Sequence, residues 1–375
     1  GEPTGIFRET AGQLLVGAVP APGPGAVAAA LERAIRAALA AGVTSVHTND
    51  GFAGFAAGWD TATRDLVGDG PGGGFAAGWA MYTRVLYGQD LPLRVYWDAQ
   101  VADLDEILAS TKRTGSGDDR LKLGAVKIFM DGSLGASTAL LSADYSDGPG
   151  QRGVQIMDTG VLDDLVLRAH AGGMQVAIHA IGDLAIELSL AAIAKAQAVV
   201  PRVGRHRIIH CQIMRPELFP RFVQLGAIAE IQPKFVTTDL RWADRRVGPE
   251  RAKSAYAWKT FLQSGVAVAA GSDCPVEPIA PLLGLYAAVT RQDLDGRPDR
   301  GWKPEQKLTV DETLRAFTTG AAYAAFEEQV KGTLAPGMLA DMVVLDADPY
   351  RVPGPALKDL KVQMTIVGGR VVSGG

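Results

Sequence analysis

Two histidines and an aspartate in this chain stand where short apolar runs end, and one lysine stands inside such a run. His179 and His210 close two of these runs, Asp273 closes a third, and Lys127 lies within a fourth. Neutral imidazoles and a carboxylate are ligands that zinc, iron, manganese and cobalt accept as divalent ions. A single histidine in such a place is usually a hydrogen-bonded core residue, but the recurrence of the pattern favours a shared metal site.

Lys127 is the unusual member of this set, because an ammonium group does not bind metal ions. Its neighbours Val126 and Ile128 are apolar, and burial lowers the pKa of a lysine because desolvation disfavours the charged form. A neutral amine can add carbon dioxide to form a carbamate, which bridges metal ions as a carboxylate does. A salt-bridged lysine and a lysine that forms an imine are the alternatives, and the residues alone leave all three open.

Seven apolar, strand-like runs alternate with helical runs along most of the chain. They begin near residues 43, 93, 125, 175, 207, 227 and 267. Such alternation predicts a parallel sheet covered by helices, and seven units suit an α/β fold of the (β/α)8 TIM-barrel type with its first strand missing. A doubly wound open sheet is the competing fold, but no Gly-x-Gly-x-x-Gly turn comes directly after an early strand. In a barrel the C-terminal strand ends meet at one mouth, which would bring the four residues together.

The residue pattern changes near the end of the sequence, where the alternation of strand-like and helical runs stops. Residues 339–345 and 362–372 carry apolar or alternating runs, and Gly368-Gly369 predicts a hairpin turn. We therefore predict a barrel domain over residues 1–331, incomplete at its N-terminus, and the C-terminal part of a small β-sandwich over residues 332–375.

A glycine-rich stretch follows the first predicted strand. The hexapeptide Gly-Phe-Ala-Ala-Gly-Trp occurs at 54–59 and again at 74–79. Because the stretch leaves a strand on the side of the predicted mouth, we expect residues 51–90 to form a mobile cover over it.

Composition and charge exclude several classes of partner. The 375 residues carry a formal net charge of −4, which gives no electrostatic footprint for nucleic acid or an anionic membrane. No apolar run is long enough to cross a membrane, and two cysteines, Cys211 and Cys274, indicate no disulfide framework. We therefore expect a cytoplasmic protein with a small-molecule substrate and no nucleic-acid or membrane partner. A homodimer is kept as an open alternative.

Four motifs together carry a resemblance to a known family. They are Val-Lys-Ile-Phe-Met-Asp-Gly-Ser-Leu-Gly around Lys127, Ile-His-Ala-Ile-Gly-Asp around His179, Ile-Ile-His-Cys-Gln around His210, and Gly-Ser-Asp-Cys-Pro-Val-Glu-Pro around Asp273. In this order they resemble the amidohydrolase superfamily and, within it, the YtcJ-like amidohydrolase 3 group. The closing motif Val-Gly-Gly-Arg-Val-Val is also similar to the end of such enzymes.

The resemblance implies a divalent metal cofactor, with zinc as the expected ion and iron, manganese or cobalt as alternatives. One or two ions per chain are expected. It implies that His179 and His210 bind one ion and that Lys127 bridges as a carbamate. Asp273 would be both a metal ligand and the catalytic proton shuttle.

One motif of that family is missing here. Its members carry a His-x-His pair on the first barrel strand, near the N-terminus, and no such pair occurs in this sequence. His47, in Val-His-Thr-Asn, does not replace it. The expectation is therefore a chain that begins after that segment and lacks the ligands of a second ion.

Other polar residues are candidates for supporting roles. His47, Asp131 and Asp183 are candidates for orienting the metal ligands. His170 is expected near a helix C-terminus, where a structural or helix-dipole role is the simplest interpretation. His206 precedes a strand, at the end of a barrel that usually serves stability.

The predicted function is hydrolysis of amide or other carbon–nitrogen bonds, other than peptide bonds, in N-acyl or N-formyl small molecules. A metal-activated water would attack the carbonyl, and Asp273 would carry the proton to the leaving amine. Two rival hypotheses stay open. One is a non-catalytic or inactive fragment with the same fold, and the other is a metal-free lyase that uses Lys127 to form a Schiff base.

Overall fold

The computed structural model describes residue 5, residues 24–49 and residues 74–374. Most of the expected cover over residues 51–90 lies outside these ranges, and so does the first copy of its repeated hexapeptide. The second copy is described and opens a helix at Phe75.

Seven parallel strands form a curled half-barrel in which each strand pairs with the next one in chain order. The strands are β1 (Ser45–Thr48), β2 (Arg94–Gln100), β3 (Leu121–Phe129), β4 (Gln175–Ala180), β5 (Arg207–His210), β6 (Ile228–Ile231) and β7 (Ala267–Ala270). The predicted strands and the TIM-barrel class are therefore confirmed. Among the described residues, β1 and β7 each pair with a single neighbour, so they are the two edges of the sheet.

Helices follow most of these strands and pack against the sheet. Those in the described part of the chain are α1 (Pro24–Ala40), α2 (Phe75–Gly88), α3 (Leu104–Ala109), α4 (Thr159–Ala171), α5 (Asp183–Val199), α6 (Phe219–Leu225), α7 (Val236–Asp239), α8 (Ala243–Ala252), α9 (Trp258–Gln263), α10 (Pro281–Thr290), α11 (Val310–Arg315) and α12 (Ala321–Ala324). None of these helices is long and apolar enough to cross a membrane.

Local capping signals explain where some helices begin. The Asp158 side chain accepts hydrogen bonds from the N–H groups of Gly160 and Val161, at 2.8 and 3.3 Å, and so caps α4. Thr309 and Glu312 form a reciprocal capping box at the start of α11. Both devices satisfy N–H groups that the first turn of a helix leaves unpaired.

The charged stretch at residues 234–250 has the sequence character of a loop, but it contains α7 and most of α8. Its charges and its Gly248-Pro249 pair argue against a helix. The structure accommodates the pair as a kink, with Gly248 at a φ of 76°, and buries Ala243 and Val247 on neighbouring turns. The loop prediction is wrong because tertiary packing of these apolar side chains outweighs the low helix propensity of the segment.

Strand alternation decides which side chains face the barrel interior. Ala125, Ala177 and Ile209 pack together as an inner cluster. Because side chains two residues apart on a strand share a face, Lys127 follows Ala125 and His179 follows Ala177 on this inner face. The alternation of side chains along the strands therefore places two of the four candidate residues, Lys127 and His179, on the inner face of the half-barrel.

The chain from α12 onward crosses the N-terminal ends of the strands. The carbonyl oxygen of Ala324 accepts a hydrogen bond from Nε2 of Gln175 at 2.9 Å, and Nζ of Lys331 donates to Oγ of Ser45 at 2.8 Å. Gln175 and Ser45 are the first residues of β4 and β1. This segment therefore covers the N-terminal end of the half-barrel, and the C-terminal strand ends form its mouth.

A second, antiparallel sheet consists of β8 (Met342–Leu345), β9 (Val362–Val367) and β10 (Arg370–Gly374), with β9 in the middle. The turn between β9 and β10 is Gly368-Gly369, with φ values of 55° and 77°. Two positive φ angles suit a two-residue type I′ hairpin, which confirms the predicted turn. Oγ1 of Thr365 donates to the carbonyl oxygen of Leu39 at 2.6 Å and so docks the sheet on the end of α1.

Candidate metal site

His179 and His210 meet at the mouth, with ring centroids 4.5 Å apart and ring planes at 70°. His179 faces inward by alternation, but His210 follows the inward-facing Ile209 and would point outward on a regular strand. The backbone at His210 has a φ of 82°. This left-handed conformation breaks the alternation and allows the ring to approach His179. Such backbone is uncommon outside glycine and is often found at functional sites.

Each of the two rings has one nitrogen held by the protein. Nε2 of His179 donates to the carbonyl oxygen of Gly132 at 3.1 Å and lies 3.4 Å from Oδ1 of Asp131. Nδ1 of His210 donates to Oε1 of Gln232 at 2.8 Å. These partners orient the rings and, within the described part of the chain, leave Nδ1 of His179 and Nε2 of His210 as the candidate ligand atoms.

Both rings are neutral near pH 7, as metal-binding histidines must be. Burial lowers the pKa of His179 to about 3, and the positive charge of Lys127 adds to the shift. Burial also holds the pKa of His210 well below its usual range, with further contributions from His179 and Lys127. The imidazoles can therefore offer nitrogen lone pairs without competition from protons.

Lys127 is buried beside this pair, with Nζ 4.6 Å from the centroid of the Phe129 ring. Burial lowers its pKa to about 8, and the carboxylates of Glu230, Asp98 and Asp273 partly oppose the shift. At that pKa roughly a tenth of the amine is neutral at pH 7. The depressed pKa expected from the apolar run is therefore present.

Asp273 lies just beyond the end of β7, and its backbone is also left-handed, with a φ of 59°. Burial raises its pKa to about 6, an effect that Lys127 opposes and Glu230 increases. A carboxyl with a pKa close to the working pH can accept a proton and return it. The interaction with Lys127 links this aspartate to the same region as the two histidines.

The residues at the mouth fit a divalent ion in part. Within the described ranges, no three His, Cys, Asp or Glu side chains converge in an arrangement that would hold a metal ion. His179 and His210 supply two nitrogen donors, and Asp273 does not complete a set of three with them. A carbamate on Lys127 would add an oxygen donor to these two nitrogens.

Asp131, one of the predicted orienting residues, holds the exit of β4. It is buried and accepts hydrogen bonds from the N–H groups of Leu140 at 2.9 Å, Ile181 at 3.0 Å and Gly182 at 2.8 Å. Since Ile181 and Gly182 follow His179 closely, this carboxylate fixes the backbone that carries the histidine as well as approaching its ring.

Asp183 and His47, the other two, have different surroundings. Asp183 accepts hydrogen bonds from the N–H and the hydroxyl group of Ser142, and so holds the loop that follows β3. The His47 ring centroid lies 5.1 Å from that of Tyr96, and Nδ1 lies 3.4 Å from Nη1 of Arg207. His47 therefore belongs with a polar group deeper in the barrel.

That deeper group is built around Arg207, which is buried and joins strands that are not neighbours. It pairs with Asp98 on β2 and, at 2.8 Å, with Glu230 on β6. These three residues and Gln232 were not among the candidates predicted from the sequence. The signal was present, because each of the three is a charged residue in an apolar strand, as Lys127 is. Gln232 directly follows a strand, which is the place where chemistry is expected in this fold.

His170 and His206 form a second buried pair, with ring centroids 5.0 Å apart. The Val176 N–H donates to Nδ1 of His206 at 3.0 Å, Nε2 of His206 donates to Nδ1 of His170 at 2.9 Å, and Nε2 of His170 donates to the Val200 carbonyl at 2.8 Å. Burial lowers the pKa of His170, so the ring is neutral. Of the two roles considered for it, hydrogen bonding fits and the helix-dipole role, which needs a cation, does not.

Comparisons with known proteins match these features. A family model described as the amidohydrolase family covers residues 1–373. The chain is 35% identical to the putative amidohydrolase YtcJ of Bacillus subtilis (strain 168), over 99% of this chain and 66% of that protein. It is 27% identical to the N-substituted formamide deformylase of Arthrobacter pascens, over 66% of this chain and 45% of that protein.

A solved structure of a metal-dependent hydrolase is also similar to this chain. An uncharacterized metal-dependent hydrolase from Pyrococcus horikoshii OT3 superimposes with a TM-score of 0.69 at 27% identity, over 89% of this chain and 62% of that chain. The chain thus spans about two-thirds or less of the length of these relatives. The resemblance carried by the four motifs is confirmed, and the chain belongs to the amidohydrolase family.

Proposed function

We propose that this protein is a metal-dependent amidohydrolase that cleaves amide or other non-peptide C–N bonds in N-acyl or N-formyl small molecules. The observation that carries the proposal is the His179–His210 pair. Each neutral ring has one nitrogen held by the protein and, as far as the described residues are concerned, one left for a ligand. Family membership supports hydrolysis. The relative from Arthrobacter pascens, an N-substituted formamide deformylase, supports N-formyl compounds as the substrate class.

The metal would be held by Nδ1 of His179 and Nε2 of His210, with zinc as the expected ion and iron, manganese or cobalt as alternatives. Lys127 would add a third donor after its neutral amine bonds to the carbon of carbon dioxide and loses one proton to solvent. The burial that lowers the pKa of Lys127 favours this step, because only the unprotonated amine can add carbon dioxide.

When bound, a divalent ion supplies Lewis acidity toward the scissile carbonyl and toward the attacking water. Asp273, with a pKa of about 6, is mostly ionised at neutral pH and can take the proton of that water. It then returns the proton to the nitrogen of the leaving amine as the C–N bond breaks. Gln232 and Asp131 keep the two imidazoles in orientation during these steps.

Metal content and turnover should be measured on the same preparation. We expect the purified protein to contain a divalent metal, to lose amine release from N-formyl and N-acyl amines after chelation, and to regain it with zinc, iron(II), manganese or cobalt. His206→Asn is a matched control, because it alters a buried histidine outside the site. Full turnover by metal-free protein, or none by reloaded protein on either substrate class, would contradict the proposal.

A Schiff-base lyase is the second candidate, and the depressed pKa of Lys127 is the observation that favours it. Borohydride reduction in the presence of a carbonyl substrate would then give a stable adduct on Lys127, and activity would survive chelation. We rank this function second because it gives the histidine pair no role.

The proposal includes a cytoplasmic location, a small-molecule substrate and no nucleic-acid or membrane partner. It rests on the net charge of −4 and on two cysteines, Cys211 and Cys274, that form no disulfide. A homodimer is an open alternative, and light scattering of the purified protein measures the oligomeric state.

A further inference from the structure

A buried ion pair joins the loop that carries Asp273 to the segment that follows β6. Glu277, in the Asp273 loop, accepts a hydrogen bond from Nζ of Lys234 on Oε2 and one from Oγ1 of Thr238 on Oε1, both at 2.8 Å. Lys234 also donates to Oγ1 of Thr237 at 2.6 Å. The side chains of Lys234 and Glu277 are only 5% and 8% exposed, so the pair is largely desolvated.

The segment at the lysine end of this pair lies beside His210. It begins directly after Gln232, the residue that holds Nδ1 of His210. It also contains Phe235, whose ring centroid is 6.1 Å from that of His210. The ion pair therefore connects backbone that positions His210 with backbone that positions Asp273.

The same segment is tied to the exit of β5. The hydroxyl of Tyr256 donates to Oδ2 of Asp239 at 2.6 Å, and the Tyr256 N–H donates to the carbonyl oxygen of Gln212 at 2.7 Å. Gln212 lies two residues after His210. The exits of β5, β6 and β7 are thus joined in one polar network, and Glu277 is its link to the β7 side.

Asp273 needs such a link because of its backbone. A left-handed conformation at a residue other than glycine persists only where the surrounding structure over-determines it. The Val276 N–H donates to the Asp273 carbonyl at 2.9 Å and closes a tight turn, and Glu277 follows immediately. A buried ion pair is a weak source of stability, since desolvation offsets much of its attraction, so a geometric role explains it better.

We propose that the Lys234–Glu277 ion pair is a positioning device that fixes Asp273 relative to His210. The inference rests on the proposed function, in which Asp273 moves the proton. Lys234 and Glu277 act through Asp273 and are positioning residues, not catalytic ones.

The first test uses the single variants Glu277→Gln and Lys234→Met. We expect kcat to fall at least about tenfold while KM changes less than about threefold, because misplacing a proton-transfer group harms the reaction more than binding. In parallel, amide hydrogen exchange of the peptide 271–280 should accelerate in both variants. That readout requires neither metal nor substrate.

The second test is the double variant Lys234→Met/Glu277→Leu, which separates positioning from stability. Replacing both members of a buried ion pair with apolar residues is often neutral or stabilising. We therefore expect the double variant to have about the melting temperature of the wild type. Its kcat should stay at least about tenfold below the wild-type value.

The matched control is Glu250→Gln. It removes another lysine–glutamate pair, Lys253–Glu250 at 2.6 Å, whose side chains are 69% and 82% exposed. Neither kcat nor exchange of the peptide 271–280 should change in this variant.

Normal kcat in Glu277→Gln, or a kcat that recovers with stability in the double variant, would overturn the proposal. If the wild type turns over no substrate, the proposed function fails, and hydrogen exchange alone decides the coupling. Unchanged exchange of residues 271–280 in Glu277→Gln would then refute it, and faster exchange would support it.

Discussion

Two pairs of buried histidines in this molecule look alike by the usual measures. The His179 and His210 ring centroids are 4.5 Å apart at 70°, and those of His170 and His206 are 5.0 Å apart at 61°. Burial lowers the pKa of His179 and of His206 to about 3. Neither the contact between the rings nor their protonation separates the pairs.

The pairs differ in what their ring nitrogens do. In His170–His206, which we term the closed pair, all four nitrogens take part in hydrogen bonds to the protein, including the bond between the rings. In His179–His210, the open pair, the protein holds Nε2 of the first and Nδ1 of the second. The hydrogen-bond partner of each ring nitrogen, more than the distance between the rings, therefore distinguishes a structural pair from a candidate ligand pair.

The strongest test of this comparison removes one ring from each pair. We expect His210→Ala to lose its bound metal and to lower kcat at least about 10³-fold, equivalent to about 4 kcal/mol of transition-state stabilisation. His206→Asn should keep the metal and its kcat per folded molecule. Metal analysis and amine release measure both effects. Equal losses in the two variants would abolish the distinction between the pairs.

The carboxylate near the open pair gives the next largest effect. Asp273→Asn should keep the fold and lower kcat at least about 10²-fold, the lower part of the range for acid–base groups. Circular dichroism and thermal melting check the fold, and the closed pair should be unaffected. Near-normal kcat would remove Asp273 from the mechanism and leave the open pair without a proton carrier.

A substitution of Gln232, the hydrogen-bond partner of His210 in the open pair, should have a smaller effect. Gln232→Ala removes the acceptor of the His210 Nδ1–H, so metal affinity should fall by about 10- to 100-fold, as for other residues that orient a ligand. Competition with a chromophoric chelator measures it. Gln197→Ala is the control, because Gln197 donates to a backbone carbonyl, that of Leu225, at 2.9 Å and lies on α5. Similar affinities in both variants would argue against an orienting role for Gln232.

The closed pair predicts an acid-sensitive stability. An unfolded histidine has a pKa of about 6.5, whereas that of His206 in the folded protein is about 3. As the pH falls below 6.5, the unfolded chain takes up a proton that the folded chain cannot, so the folded state loses stability. At pH 5 the loss from His206 is at most about 2 kcal/mol.

Urea denaturation between pH 7.5 and pH 5 measures this dependence. His206→Asn should show a shallower dependence than the wild type, because the group that cannot be protonated in the folded state is gone. If the two curves run parallel, the closed pair does not contribute to acid lability.

Much of the architecture could be predicted from the sequence because the alternation of short apolar runs with helical runs is a local signal. Within the strands, the side-chain period of two places Lys127 and His179 on the inner face of β3 and β4. It fails for His210, whose direction depends on a φ of 82° that no residue pattern reveals. The roles of these residues in binding a metal are still predictions.

Other features could not be predicted from the sequence because they depend on partners that are distant in the chain. Arg207 and Asp98 are separated by 109 positions, and neither indicates the other in the sequence. The two histidines of the closed pair were recognisable as structural, but their linked tautomers follow only from the neighbouring backbone. The helix α8 was missed because buried alanine and valine contacts, which three-dimensional packing supplies, outweigh its glycine and proline.

The left-handed backbone at His210 has a consequence for heat resistance. Non-glycine residues in this region carry an unfavourable energy of about 1 kcal/mol or more, which an asparagine or glycine at the same position would reduce. Screening variants of this protein for a higher melting temperature alone would therefore favour the loss of His210. Stability and catalytic competence would compete at a single peptide unit, so a screen for thermal robustness has to retain a turnover criterion.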